Sequence, residues 1–306
     1  MPLYSSPLQP LPHPAARAAG VSLYCKRDDL LTLEPGSALQ GNKARKLIPL
    51  LNEIQTEPRA PLLYSFGGAY SNHVSAMGTV ARKYGWPVVL FIRGEEVDNP
   101  LLQRAEADGA RLIRLYRSEY GKRNDPGWLG GWRRQLAWEY NLQQELVRRI
   151  PEGGTTWDGM INCGKAYEET IGQLGGPPDY FCLSAGTGGT AAGIIHAADP
   201  ATRIEVFPAL RGDWMKAEIT KFLNPGLGKD WAIVPGYDFG GYGKFPAKWI
   251  VASDGLAKRA DIGEPGLPPL EPIYTAKLFR GVLDRIGKGV YPAGSRVVVL
   301  HTGGIY

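Results

Sequence analysis

Lys43 stands just after a short turn, in the run Leu39-Gln40-Gly41-Asn42-Lys43-Ala44-Arg45-Lys46-Leu47. Gly41 permits a close backbone approach, and Asn42 is a good N-cap. Leu47, Leu50, Leu51 and Ile54 then recur at helical spacing. This predicts a helix from Lys43, with Pro49 as the point of a kink or restart. A lysine at a helix N-terminus faces the positive end of the macrodipole, which disfavours its ammonium form. That suits an amine that must lose its proton and act as a nucleophile. Lys46, one turn on, reads as an ordinary solvated cation.

A second pattern is Ser184-Ala185-Gly186-Thr187-Gly188-Gly189-Thr190, after a short apolar run. A buried strand, a Gly/Thr loop and a helix N-terminus make an anion cradle of backbone N–H groups and hydroxyls. No GK[ST] follows, and the glycine spacing departs from GxGxxG, so one phosphate monoester fits better than a pyrophosphate. A plain Gly-rich turn is the alternative. Ser71-Asn72-His73 follows Gly67-Gly68, and His301-Thr302-Gly303-Gly304 follows another apolar run. Polar groups at the ends of parallel strands line a ligand crevice, although helix capping explains them equally well. An amine, a phosphate cradle and several hydroxyls belong together in one chemistry: a Schiff-base lysine with pyridoxal phosphate, Thr302 being placed for the pyridine nitrogen.

The elements that must position these groups alternate. Strands are predicted over Val21–Lys26, Leu62–Phe66, Val88–Ile92 and Leu112–Leu115, then Tyr180–Ser184, Arg203–Phe207 and Val297–Leu300. Helices are predicted after Asn72 (Val74, Met77, Val80 and Ala81 inward), from Asn99-Pro100 to Gly109, and over Gln135–Arg149. Three more cover Ala166–Leu174, Asp213–Phe222 and Tyr274–Ile286, and one follows the cradle, with Ala192, Ile195 and His196. Met1–Pro14, Ser118–Gly131 and Asn224–Pro246 read as irregular. The alternation predicts an α/β protein with parallel sheets covered by helices. We expect a smaller domain, residues 48–150, inserted in a larger one made of residues 1–47 and 151–306.

The chain has 306 residues, 43% hydrophobic and 21% charged, enough for one large or two smaller globular domains. No apolar run is long enough to span a bilayer, and the N-terminus lacks the basic and apolar regions of a signal peptide. Cys25, Cys163 and Cys182 are scattered, which suits reduced thiols and a cytoplasmic setting. The four histidines are far apart, so no metal site is expected. The net charge of +5 is small, and acidic residues are mixed among the arginines and tryptophans of Arg111–Arg149. With no binding motif there, nucleic acid is not expected as a partner.

Taken together, the motifs identify a family. The chain resembles the D-cysteine desulfhydrase / 1-aminocyclopropane-1-carboxylate (ACC) deaminase family, among the fold type II pyridoxal phosphate enzymes related to the tryptophan synthase β subunit. The likeness runs from Tyr24 to Gly304. It rests on Lys26-Arg27-Asp28-Asp29, Gly41 to Leu47, Gly67-Gly68 with Ser71-Asn72-His73, Pro151-Glu152-Gly153-Gly154 and Gly186 to Thr190. Gly240 to Lys244, Pro272 to Lys277 and His301 to Gly304 complete it. The resemblance implies that Lys43 carries the cofactor as a Schiff base. It implies that Asn72 bonds the ring oxygen, that Gly186, Thr187, Gly188, Gly189 and Thr190 hold the phosphate, and that Thr302 faces the ring nitrogen. Ser71, Tyr242 and Tyr274 fall on the substrate side as proton-transfer groups, with Ser71, Asn72, His73 and Tyr274 binding the substrate. The implied activity is elimination from a small amino acid, D-cysteine first, by a homodimer. ACC deamination, another lyase or deaminase activity of the family, and a non-catalytic phosphate-binding protein are the alternatives. ACC deaminases of the family carry Glu after the tyrosine equivalent to Tyr274; this chain has Thr275, which favours the desulfhydrase branch. Tyr70 stands where many relatives have Gln, and Thr155-Thr156-Trp157 where they often have Ser-Asn.

Overall fold

The computed structural model describes residues 5–94, 98–251 and 259–306. In chain order, β1 (Leu8–Pro10), α1 (Pro14–Ala18) and β2 (Ser22–Lys26) lead to α2 (Gly41–Gln55). Then come β3 (Leu62–Gly68), α3 (Asn72–Tyr84), β4 (Val88–Arg93), α4 (Pro100–Ala107), β5 (Ala110–Leu115), α5 (Arg117–Tyr120), α6 (Pro126–Glu139) and β6 (Val147–Arg149). After α7 (Trp157–Leu174) follow β7 (Tyr180–Ala185), α8 (Gly189–Ala197), β8 (Arg203–Pro208), α9 (Met215–Thr220) and β9 (Trp231–Ile233). A short pair, β10 (Ile250–Val251) and β11 (Arg259–Ala260), precedes α10 (Thr275–Gly287) and β12 (Arg296–Leu300).

Two sheets form. One has the order β5-β4-β3-β6 and is parallel throughout. The other has the order β1-β2-β12-β7-β8-β9, parallel except for β1. In the first, the chain steps outward from β3 to β5 and then returns to the far side of β3 as β6. In the second it steps from β7 to β9 and returns to the far side of β7 as β12. Each reversal opens a crevice at the C-terminal ends of two strands, the usual ligand position in open parallel sheets. Strand β3 is buried residue by residue up to its last glycine, as a strand covered on both faces must be.

Several expectations are corrected. Helix α2 begins at Gly41, with Gln40 rather than Asn42 as its N-cap residue. It runs through Pro49 without a break. Leu47, Ile48, Leu51 and Ile54 all pack into the core beneath the first sheet. Residues 8–10 form an edge strand instead of irregular chain; residues 1–4 of that stretch lie outside the described residues. The largest error is the span 118–149. Asp125 accepts from Trp128 N at 2.7 Å and caps α6, which ends near Asn141 (φ 51°), and residues 147–149 form β6. Helix α6 lays Trp128 and Trp132 on Phe66 and Phe91, and this packing overrides the low helix propensity of Gly127, Gly130 and Gly131. Helix α7 starts at Trp157 rather than Ala166, α9 is shorter than expected and is not capped by Asp213, and β9 falls within a presumed loop.

A buried ionic cluster fixes α2. Arg45 pairs with Asp28 (2.7 Å) and Glu169 (2.8 Å), and Lys26 also reaches Glu169 (2.8 Å). Ser6 Oγ donates to Asp28 at 2.6 Å. Burial raises the Glu169 pKa, but the hydrogen bonds and charges of Arg45 and Lys26 outweigh it and hold the carboxyl at about 2. Its folded value lies below its ordinary value of 4.5, so its stabilisation is complete above 4.5 and is lost as pH falls toward about 2. Glu169→Gln should therefore lower the denaturant midpoint at neutral pH and flatten its decline in acid. Arg45→Met, which strands the Asp28 carboxylate, should cost about 3–5 kcal/mol in equilibrium unfolding.

Candidate active site

The strand ends bring the predicted residues together, His73 excepted. Gly41 has φ 58°, and a side chain there would run into the Thr302 carbonyl. The Asn42 amide donates to that carbonyl at 3.2 Å. The start of α2 is thus seated on the end of β12. Asn42 Nδ2 reaches across to Thr190 Oγ1 at 3.1 Å, tying α2 to the cradle. The cradle is the turn between β7 and α8. Gly188 (φ 79°) precedes the helix, and no side chain caps its free first-turn amides. A Cβ on Gly189 would strike the Thr155 side chain, and one on Gly153 would lie 2.7 Å from Thr187 Oγ1. Residues 153–155, which follow β6, therefore form the second wall of the cradle.

Lys46 is not a solvated cation. It is 1% exposed, and its Nζ donates to Thr155 Oγ1 at 3.1 Å, which in turn lies 3.2 Å from Thr187 Oγ1. The clue in the sequence was its spacing: residues three apart share a helix face, so Lys46 follows Lys43 inward. The Lys43 side chain keeps a path to solvent, but its surroundings are dense. Burial, and then the nearby charge of Lys46, lower its pKa to about 7. A large fraction of Lys43 is therefore the free amine at neutral pH.

The other wall carries the tyrosines. A Cβ on Gly186 would lie 3.1 Å from the Tyr274 hydroxyl, and one on Gly68 would lie 3.2 Å from the Tyr242 ring. The two rings are 6.5 Å apart, and the Tyr242 hydroxyl is buried with no partner among the described residues. Burial, each time with Glu271 and Glu152 among the nearby charges, holds both phenols well above their ordinary pKa, so both stay protonated donors. Glu271 spends its carboxylate on the N-terminus of α10, accepting from the amides of Ile273, Tyr274 and Thr275 at 2.7–2.8 Å. Glu152 accepts from Tyr120 Oη (2.8 Å) and Arg123 Nε (2.9 Å), a group the sequence did not single out.

Asn72 lies at the end of β3, where a Cβ on Gly304 would meet its Nδ2 at 2.7 Å. Its Oδ1 accepts from the Tyr306 hydroxyl at 3.1 Å, which turns the amide nitrogen the other way. Ser71 Oγ accepts from His73 N at 3.2 Å and caps α3. His73 does not line the cleft. It is 1% exposed, with Nε2 2.7 Å from Ser65 Oγ, so it supports the strand end rather than facing a substrate.

The cradle suits a phosphate: helix amides, two threonine hydroxyls and a buried ammonium meet where no side chain fills the space. The family model for the pyridoxal-phosphate dependent enzymes matches residues 2–211. This chain belongs to that family. It is 30% identical to a putative ACC deaminase of Pyrococcus abyssi, over 99% of this chain and 90% of the relative. It is 28% identical to the corresponding protein of Pyrococcus horikoshii, with the same coverage. Among solved structures, that of an ACC deaminase homologue superposes with a TM-score of 0.74 at 27% identity, over 98% of this chain and 90% of the other. The fold is therefore the two-domain fold type II, and the cofactor is pyridoxal phosphate. A cofactor-free phosphate-binding protein is no longer the natural reading.

Attachment of pyridoxal phosphate, trapped with borohydride, should speed up as pH rises to about 7 and level off above it. Lys43→Ala should give no trapped product. Lys46→Met should keep the covalent reaction but weaken cofactor binding about tenfold to a hundredfold, the worth of a charged hydrogen bond.

Proposed function

We propose that this chain is a pyridoxal-phosphate dependent lyase that cleaves a small amino acid, D-cysteine foremost, to pyruvate, ammonia and sulfide. The observation that carries the reading is Lys43: an amine whose pKa is lowered to about 7, between the phosphate cradle and the end of β12. Bound at that lysine, the cofactor supplies an electron sink for charge developing at the substrate Cα. The phosphate is assigned to Gly186–Thr190 with Lys46, the ring oxygen to Asn72 Nδ2 and the ring nitrogen to Thr302. Once released, Lys43 is the base for the Cα proton, with Ser71 as its neighbour across the cleft. Tyr242 and Tyr274, kept protonated, donate to the substrate carboxylate and to the departing thiolate.

Thr275 supports the choice of D-cysteine over ACC. Its hydroxyl is closed into the turn before α10, accepting from Glu271 N at 2.9 Å, and the Glu271 carboxylate is committed to helix amides. Neither offers a free carboxylate to the ring nitrogen, which leaves the neutral hydroxyl of Thr302. Opening a cyclopropane asks more of the ring as an electron sink than losing a thiolate does. The names of the relatives favour ACC deamination as the second reading. Residues 48–150 as a separate domain, a homodimer and a cytoplasmic setting complete the proposal. Three buried free thiols support a reducing compartment, and among the described residues no helix is long and apolar enough to cross a membrane.

Incubation with D-cysteine should release pyruvate, sulfide and ammonia together, and ACC should yield no α-ketobutyrate. The reverse pattern would replace the first reading with the second.

A further inference from the structure

Lys277 is the third residue of α10 and is 2% exposed. Its Nζ lies among three backbone carbonyls: Ala209 at 3.0 Å, Asp238 at 2.8 Å and Gly241 at 2.8 Å. The first follows β8. The other two belong to the loop that presents Tyr242. An ammonium has three donors, and here each finds a carbonyl. Its other anchors lie in side chains beside the glycines: the Tyr237 hydroxyl donates to Asp284 Oδ2 at 2.6 Å, the Phe239 ring packs edge-on against Trp249, and Asp238 Oδ1 accepts from Gly240 N at 2.8 Å. Phe239, Gly240, Gly241 and Gly243 all have positive φ, and its internal backbone bonds are two: Gly241 N to Asp238 O and Lys244 N to Gly241 O. A non-glycine residue at φ 50° is strained and persists only where its surroundings impose it. Tyr242 itself rests its ring against Gly68 and has no hydrogen bond at its hydroxyl among the described residues.

We propose that Lys277 is a positioning residue, whose ammonium clamps the 236–245 loop to the end of β8 and so holds the Tyr242 ring over Gly68. Its relevance to turnover rests on the place given to Tyr242 in the proposed reaction; the clamp itself does not. The charged form matters because a neutral isostere brings fewer donors and no charge to the three carbonyl dipoles. The side chain beyond Cβ has the size of n-propylammonium, so the cavity left by Lys277→Ala can be refilled from solution.

The test uses the holoenzyme of Lys277→Ala, with hydrogen exchange read on peptides covering residues 236–246. Exchange there should accelerate about tenfold or more, while α2 and α8 keep their protection. n-Propylammonium should restore protection in a saturable way, and propan-1-ol, the neutral isostere, should not. If D-cysteine is turned over, kcat should fall about tenfold to a hundredfold and recover with the amine, the cofactor absorption staying that of the wild type. Unchanged exchange in residues 236–246, or equal rescue by the alcohol, would overturn the proposal. Should Lys277→Ala not fold, refolding yield takes the place of exchange: better recovery with the amine than with the alcohol supports the clamp, and no advantage for the amine overturns it. A wild type that turns over neither D-cysteine nor ACC would refute the activity reading and leave the exchange result to decide this one.

Discussion

The contact on which the site depends is one of backbone against backbone. Gly41, at φ 58°, lies against the carbonyl of Thr302 with no room for a Cβ. Its own amide donates to Leu31 O at 2.8 Å, and the next amide donates to Thr302 O. This seats the first turn of α2 on the tip of β12, beside the crevice that the second sheet opens between β12 and β7. Lys43 is two residues on, so its amine is placed by the main chain and not by a long, mobile loop. The cluster of Arg45, Asp28, Glu169 and Lys26 then fixes the rotation of the helix from its other side.

Placing two lysines of one helix in one dense pocket has an electrostatic consequence. Burial lowers both, and Lys46 further lowers Lys43. A buried ammonium whose visible partners are a hydroxyl and a carbonyl costs free energy. A phosphate dianion at the neighbouring helix N-terminus offsets that cost directly. Cofactor binding and folding stability are therefore linked in this chain, through Lys46 more than through Lys43. On the proposed reading the division of labour follows from distance along the helix: the lysine nearer the end of β12 supplies the reactive amine, and the one a turn deeper supplies the charge for the phosphate.

Much of this was legible in the sequence because strand ends and glycine turns are local signals. The strands expected over Leu62–Phe66, Tyr180–Ser184 and Val297–Leu300 lie within a residue or two of those observed, and the Gly/Thr loop does join a strand to a helix N-terminus. What could not be read was decided by packing. Helix α6 carries three glycines and gains its stability from two tryptophans laid on Phe66 and Phe91, contacts made with a distant strand. Strand β6 is three residues long and exists because β3 is there to pair with it. Lys46, Glu152 and Lys277 each lay within or beside a recognised motif, yet each looked ordinary. Their partners come from elements 29 or more residues away, and no spacing rule reports that. His73 erred in the opposite direction, since a histidine beside Asn72 suggested a ligand contact and its ring turned inward to Ser65.

The same logic governs the carboxylates near the ring. Glu271 is buried, and burial raises its pKa. Three helix amides accept its charge locally, so the fold holds a carboxylate there without presenting it as a free base. Glu152 is likewise occupied, by Tyr120 and Arg123. On the proposed reading burial, with the negative charge nearby, keeps two phenols protonated, and the ring nitrogen meets only a hydroxyl. Such a site stabilises the carbanion modestly. On the proposed reading it suits a substrate whose β-substituent leaves readily, and the leaving group, more than the amino acid skeleton, is then the property on which specificity should turn.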